Sequence, residues 1–358
     1  MFVLRLSCNL SETKESVRNT EKRGENKREK GKREGRKTKE NIMEKKEKMH
    51  KIRNTFFLLL TALIWGAAFV AQSVSMDYVE PLTFICLRSL IGGIVLLPCI
   101  WFFDWQKKKK QGEGHGDLQR EKESGKLPWW KEKQTLLAGG ICGLFLFAAN
   151  CFQQTGIQYT TVGKAGFITA FYIIIVPVMG ISLKKYCGLL TWISVVIALG
   201  GLYFLCMNEK MELQTGDVLI LISAFLFSGQ IMAIDYFVQF VDGVKMSCVQ
   251  FLTGAVLGGI GMFLFENPQV SAIAAAAGPI LYTGAISTGV GYTLQIVGQK
   301  GMNPTVAALL LSLESVFSAL CGYVLLGQGM SSRELFGSAL MFGAIILAQL
   351  PDFRQKNH

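Results

Sequence analysis

Residues Thr135 to Gly156 read TLLAGGICGLFLFAANCFQQTG, and none of them carries a formal charge. A helix rises ~1.5 Å per residue, so about 20 such residues cover the ~30 Å hydrocarbon core of a bilayer. A backbone in hydrocarbon must satisfy its own hydrogen bonds, which leaves an α-helix as the form for an isolated apolar block. Gly139 and Gly143 are four residues apart, the small-x-x-x-small spacing that lets two membrane helices approach closely. The block is also marked at one end by Asn150 and Gln153, which at i and i+3 share a helix face. Amides in an otherwise apolar span need partners inside the protein.

Nine further blocks of this kind follow from the rest of the chain. Of its 358 residues 50% are hydrophobic and 18% charged, and the charge gathers in the first fifty residues and between Asp104 and Lys133. The expected spans are Thr55–Ser75, Pro81–Phe103, Thr135–Thr155, Thr161–Ile181, Cys187–Met207, Gly216–Tyr236, Val244–Phe265, Ala275–Gly298, Pro304–Gly327 and Glu334–Leu350. The fold class is therefore an all-α polytopic membrane protein with ten transmembrane helices. The 38 glycines, costly in soluble helices, suit close helix packing in a bundle, as do Gly254 and Gly258 in the seventh span. Basic residues set the orientation. Lys51 and Arg53, Lys107 to Lys110, Lys184 and Lys185, Lys245, and Arg354 with Lys356 all fall on one side if both termini are cytoplasmic; Arg333 dissents. The cell (plasma or inner) membrane is the expected location.

Residues 1–53 interleave Lys and Arg with Glu and have almost no aromatic content after Phe2, so they read as a basic, disordered cytoplasmic tail. It would be drawn to anionic lipid, or translation starts at Met43 or Met49. Nucleic acid is not an expected partner, because no aromatic stacking residues accompany the charge. The nine cysteines are scattered without a C-x-x-C pair, and His50, His115 and His358 all lie outside the apolar blocks. No metal or cofactor is expected, and no G-x-x-x-x-G-K loop for nucleotide-driven pumping is present.

The two halves of the chain match at a fixed offset. Asn150–Cys151–Phe152–Gln153–Gln154–Thr155–Gly156 lies over Tyr292–Thr293–Leu294–Gln295–Ile296–Val297–Gly298, so Gln153 meets Gln295 and Gly156 meets Gly298. Downstream, Ala165 meets Ala307 and Tyr172 falls opposite Glu314. A repeat with five helices is odd in number, so its second copy enters the membrane from the opposite side. Such inverted repeats place binding sites near the midplane, where they meet. The domains expected are the tail at 1–53, a first repeat at 54–207 with a charged cytoplasmic loop at 104–134, a second repeat at 208–351, and a short tail at 352–358.

Leu311–Ser312–Leu313–Glu314–Ser315–Val316–Phe317, then Leu325–Leu326–Gly327–Gln328 and Gly337–Ser338–Ala339–Leu340, resemble the closing signature of the EamA family of the drug/metabolite transporter superfamily. Trp65–Gly66, Arg88, and Tyr159–Thr160–Thr161 leading to Pro177 resemble it in the first half. Ser315 stands where the family usually has Pro, and Gln328 where it has Glu, so no role that needs an acid at that second position applies here. The resemblance implies two inverted five-helix repeats that move small metabolites, often outward.

The polar residues at membrane depth are the candidate substrate site: Trp65, Asn150, Gln153, Tyr172, Gln230, Tyr292, Gln295 and Glu314. An ionisable group near a helix centre in hydrocarbon costs at least ~2.5–3.5 kcal/mol, so each calls for a reason. Glu314, some ten residues past Pro304, falls near the midplane, where a carboxyl group can bind and release a proton as a cavity opens. Arg88 is a structural or coupling charge, able to pair with an anionic solute or with Glu314, or to anchor its own helix. Lys164 reads as snorkelling, and Asp217 and Asp235 as helix-end residues. Asn150 with Gln153 and Tyr292 with Gln295, on matching helices, would furnish a polar cavity with Trp65 as an aromatic wall. Interhelical hydrogen bonding alone, worth ~0.6 kcal/mol per bond, is the competing account.

The function expected is secondary-active export of small metabolites by alternating access, with proton coupling through Glu314 as a further hypothesis. A non-transporting receptor or scaffold is the alternative; an enzyme is disfavoured because no histidine and no paired acids lie at depth. The partners are a small-molecule substrate and the lipid bilayer, with a homodimer left open.

Overall fold

The computed structural model describes residues 48–112, 132–159, 162–183, 188–206, 215–326 and 331–349, together with 43 and 45. Most of the 1–53 tail, the greater part of the 104–134 loop, Thr160, Thr161, Lys184, Lys185, Gln328 and the 352–358 tail lie outside the described residues. The chain divides into a unit ending at Arg53, in which Arg53 bonds His50 at 2.8 Å, and a helical bundle from Asn54 onward. The regular elements described are all helical. They are α1 (Lys48–Ser75), α2 (Pro81–Gly112), α3 (Lys133–Ile157), α4 (Val162–Thr169), α5 (Tyr172–Ser182), α6 (Leu189–Cys206) and α7 (Thr215–Phe237). Then come α8 (Gly243–Phe265), α9 (Val270–Ala275), α10 (Ala277–Leu281), a π-helical run over Tyr282–Tyr292, α11 (Thr293–Gln299), α12 (Pro304–Leu311), α13 (Glu314–Leu326) and α14 (Ser332–Gln349). Among the described residues, seven helical stretches are long and apolar enough to cross a membrane, and Leu189–Phe204 and Leu335–Ala348 are shorter apolar helices.

Three expected spans are not single regular helices. The fourth breaks between α4 and α5, and the ninth between α12 and α13. Both breaks tighten in the same way. Phe171 N bonds Ile168 O at 3.1 Å and Ile173 N bonds Ala170 O at 3.0 Å; Leu313 N bonds Leu310 O at 3.3 Å and Ser315 N bonds Ser312 O at 3.2 Å. The eighth span is interrupted around Pro279, which lacks an N–H and crowds the preceding turn. Thr283 Oγ1 turns back onto the Pro279 and Ile280 carbonyls at 2.8 and 3.1 Å, and the wide π turns follow. Hydropathy registers how apolar a segment is, not its hydrogen-bond register, so these breaks are invisible to it.

The bundle buries polar side chains among its apolar core and presents large apolar ones outward. Gln72, Arg88, Gln153, Gln230, Gln295 and Glu314 are buried, whereas Trp101, Val256, Phe263 and Val324 are exposed. That distribution suits a surround of lipid. Helix pairs fix its layout. The Glu266 carboxylate, at the end of α8, accepts from Leu82 N and Thr83 N at 2.6 Å each and from Thr83 Oγ1 at 2.7 Å, capping the start of α2. At the far end Lys245 Nζ meets Asp104 Oδ1 at 3.0 Å. Contacts 81-to-266 and 104-to-245 make α2 and α8 antiparallel. Along α1, Asn54 bonds Lys300 O at 2.8 Å, Thr61 bonds Gly291 O at 3.1 Å and Trp65 Nε1 bonds Ser287 O at 3.3 Å, so α1 runs antiparallel to the π run and α11. In the same manner α3 lies along α7, and α6 along α14. The glycine pair of α3 performs the packing expected of it: Gly139 and Gly143 face Val249, Gln250 and Thr253 of α8 with no room for a methyl group.

Candidate functional site

The two helix breaks meet. Tyr172 opens α5 and Glu314 opens α13, and the Tyr172 hydroxyl donates to Glu314 Oε1 at 2.9 Å across 142 residues of chain. A bond between two residues that correspond in the repeat requires both to lie near the axis relating the halves. Ser315, in the position where a Pro was the family's usual residue, donates its hydroxyl to Gly166 O at 3.0 Å and ties α13 to α4. Broken helices at membrane depth are where transporters expose backbone and side-chain polar groups to a solute.

Around that junction is a small cavity, with a volume of about 30 Å³ open to the centres of water-sized molecules. Of the residues anticipated for a binding site, Trp65, Arg88, Gln153, Tyr172, Gln230, Tyr292, Gln295 and Glu314 all line it. Asn150 does not. It is buried, with Oδ1 unpartnered among the described residues. Sharing a face with Gln153 at i, i+3 is a loose criterion, because the two side chains still diverge by about 60° around the axis. Of Lys164 the side chain is outside what is described.

Each lining group has a defined neighbour. Gln153 Nε2 donates to Thr169 Oγ1 at 3.1 Å. Gln295 Nε2 donates to Gln230 Oε1 and Gln230 Nε2 to Gln250 Oε1, both at 3.4 Å, forming a chain of amides drawn from α11, α7 and α8. Gln295 Oε1 and Gln250 Nε2, at its two ends, have no partner among the described residues. The rings of Trp65 and Tyr292 pack with centroids 4.5 Å apart, which gives the wall its aromatic part. Arg88, 2% exposed, donates to Thr288 Oγ1 at 3.1 Å and to Gln72 Oε1 at 3.4 Å, and its guanidinium lies 5.6 Å from the Phe84 ring centroid. No ion pair joins Arg88 to Glu314 among the described residues. The cation is held by neutral groups, which positions it while leaving its charge uncompensated by an acid.

Sequence reasoning missed Phe69, Gln72, Thr169, Phe227, Ile231, Ser287 and Leu311. For Phe69 and Gln72 a signal existed, since they follow Trp65 at i+4 and i+7 on one face of α1. Thr169 and Leu311 are the last residues of α4 and α12, at the two helix breaks. Chemically the chamber offers amide donors and acceptors, a cation, a carboxyl group and an aromatic wall. Among the described residues no three His, Cys, Asp or Glu side chains come together as a metal site.

Comparison with known proteins agrees with this architecture. The profile of the EamA-like transporter family matches twice, over residues 53–207 and 214–350. An archaeal protein named as an uncharacterized transporter, from Archaeoglobus fulgidus, is 25% identical over 295 residues, covering 82% of this chain and 84% of its own. The uncharacterized transporter YwfM of Bacillus subtilis is 26% identical over 308 residues, covering 83% and 94%. A solved crystal structure superposes with a TM-score of 0.67 at 18% identity, over 85% of this chain and 99% of that one, a likeness of fold. These relatives point to a multi-pass membrane transporter rather than an enzyme.

Proposed function

This chain belongs to the EamA-like transporter family, and we propose that it exports small metabolites by alternating access. Ten crossings form two inverted five-helix repeats, at 54–207 and 208–351, with a cytoplasmic tail at each end. The second helices of the two halves, α2 and α8, run antiparallel, as inversion requires. The paired basic clusters of the sequence put both termini in the cytoplasm.

One observation carries the reading: the two broken helices cross at Tyr172 and Glu314 inside a chamber lined by Gln153 and Gln295. Equivalent residues meeting at the axis let the halves rock against each other around a fixed site. The solute is held by the glutamine amides and the Trp65–Tyr292 wall, with Arg88 or Glu314 taking any charge it bears. Glu314 exchanges a proton as the chamber turns from one side to the other.

A thermal-shift screen of the purified protein against amino acids, nucleosides, sugars and organic cations tests this reading. A stabilising solute is expected, and both Gln153→Ala and Gln295→Ala should abolish its effect. In proteoliposomes its flux should follow a proton gradient and fail in Glu314→Gln. Flux indifferent to both the gradient and that substitution removes the coupling; a shift that survives both glutamine variants removes the site.

A further inference from the structure

The repeat relates more than the chamber. At the end of α3, a Cβ on Gly156 would strike the Ile220 side chain; at the end of α11, a Cβ on Gly298 would come within 3.0 Å of Leu58. Gly156 and Gly298 are equivalent, and Ile220 of α7 holds the place that Leu58 holds in α1, the offset being 162 residues for the helices that precede the long charged loop of the first half and 142 after it. The same contact is therefore built twice, at opposite ends of the bundle.

Around the first contact sits a buried apolar cluster of Phe69, Ile157, Ala165, Ile168 and Ile220. Phe69 belongs both to this cluster and to the chamber lining, and Ile157 ends α3, which places the cluster on the side of the chamber where Glu266 caps α2. Its counterparts in the other half are Ile231, Gln299, Ala307, Leu310 and Leu58. Four of these belong to one apolar core. The fifth is Gln299, which takes the place of Ile157, is 1% exposed, and has no partner for either amide atom among the described residues. A buried, unspent amide raises the free energy of the packed state, and an isoleucine at the same place does not.

Tyr292, Gln295 and Gln299 follow one another at i, i+3 and i+7, a single face of the helix that leads from the chamber toward the end where α1 begins. On α3 the residue equivalent to Gln299 is Ile157. We infer that the solute passes between the chamber and that end of the membrane along the Tyr292–Gln295–Gln299 face, with Gln299 a further polar station that is hydrated and open to the solute's hydrogen bonds when the seal at Leu58 and Leu310 parts. This rests on the transporter reading above. It makes the two seals unequal: the one holding Gln299 opens more readily than the one holding Ile157.

Hydrogen–deuterium exchange of the full chain in lipid nanodiscs, with heavy water as the probe, reads the opening of each seal directly. The amides of residues 293–303 should exchange faster than those of 151–159. Gln299→Leu and Gln299→Met should slow the first segment about tenfold or more, the scale of relieving a buried unsatisfied group, and leave the second unchanged. Unchanged exchange at 293–303 in both variants overturns the inference. So does failure of both to fold, because a seal that tolerates a strained amide must accept an apolar side chain of similar size. Exchange needs no transport, so a chamber that binds and moves nothing would defeat the transporter reading alone.

Discussion

Gly66 allows a sharp test of how α1 is seated beside the chamber. A Cβ built on Gly66 overlaps Phe317 Cβ and lies 2.8 Å from both Phe317 C and Ser318 N on α13. Carbon contacts settle at about 3.5–4.0 Å, so Gly66→Ala must part α1 and α13 by roughly 1 Å. The obstructing atoms are backbone and Cβ, which no rotamer change can move, so the upper part of the ~1–3 kcal/mol range for overpacking applies. Alanine regains about 1 kcal/mol of helix propensity, leaving a net loss of about 2 kcal/mol. Gly140 is the control. It lies within α3 with nothing inside 4 Å of its built Cβ, so Gly140→Ala keeps the propensity gain and is stabilised by up to ~1 kcal/mol. Unfolding in mixed micelles, followed by tryptophan fluorescence, should separate the two variants by about 3 kcal/mol in total. Because Trp65 is the preceding residue, Gly66→Ala should also weaken the thermal shift produced by any solute of the chamber. Equal stability of the two alanine variants would refute the close approach of α1 to α13.

Two further substitutions probe how the helix ends are held. Glu266→Ala removes the acceptor of three short bonds from Leu82 and Thr83; a loss of ~1.5–3 kcal/mol is expected in the same unfolding assay, with Glu266→Gln recovering part of it. Asn303 accepts from Thr305 N at 2.9 Å and starts α12 one residue before Pro304. Asn303→Ala should cost about 1 kcal/mol and Asn303→Asp almost nothing, read as shifts in melting temperature.

Legibility from sequence varied from residue to residue for physical reasons. Gln153, Gln295 and Glu314 stood out because a polar group in an apolar block has few explanations, and all three face the chamber. Gln250 did not stand out, although it ends the chain of amides begun by Gln295. Nothing in its own helix shows that α7 and α11 deliver their glutamines to the same point. Asn150 looked equivalent to Gln153 and is buried outside the chamber lining instead. Ser315 could be recognised as a departure from a family pattern, but its bond to Gly166 depends on where α4 passes.

By itself the sequence determined that this protein is a polytopic helical membrane protein built as two related halves, and its motifs showed a resemblance to a transporter family. Apolar blocks of bilayer length and a fixed offset between like residues are properties of the chain alone. Tertiary structure decided where the helices break, that Tyr172 and Glu314 meet at those breaks, and that Arg88 is held by Thr288 and Gln72 rather than by the acid. Each of these is a contact between segments far apart in the chain. A hydrogen bond of about 3 Å is set by how whole helices pack, and no local pattern of residues encodes that distance.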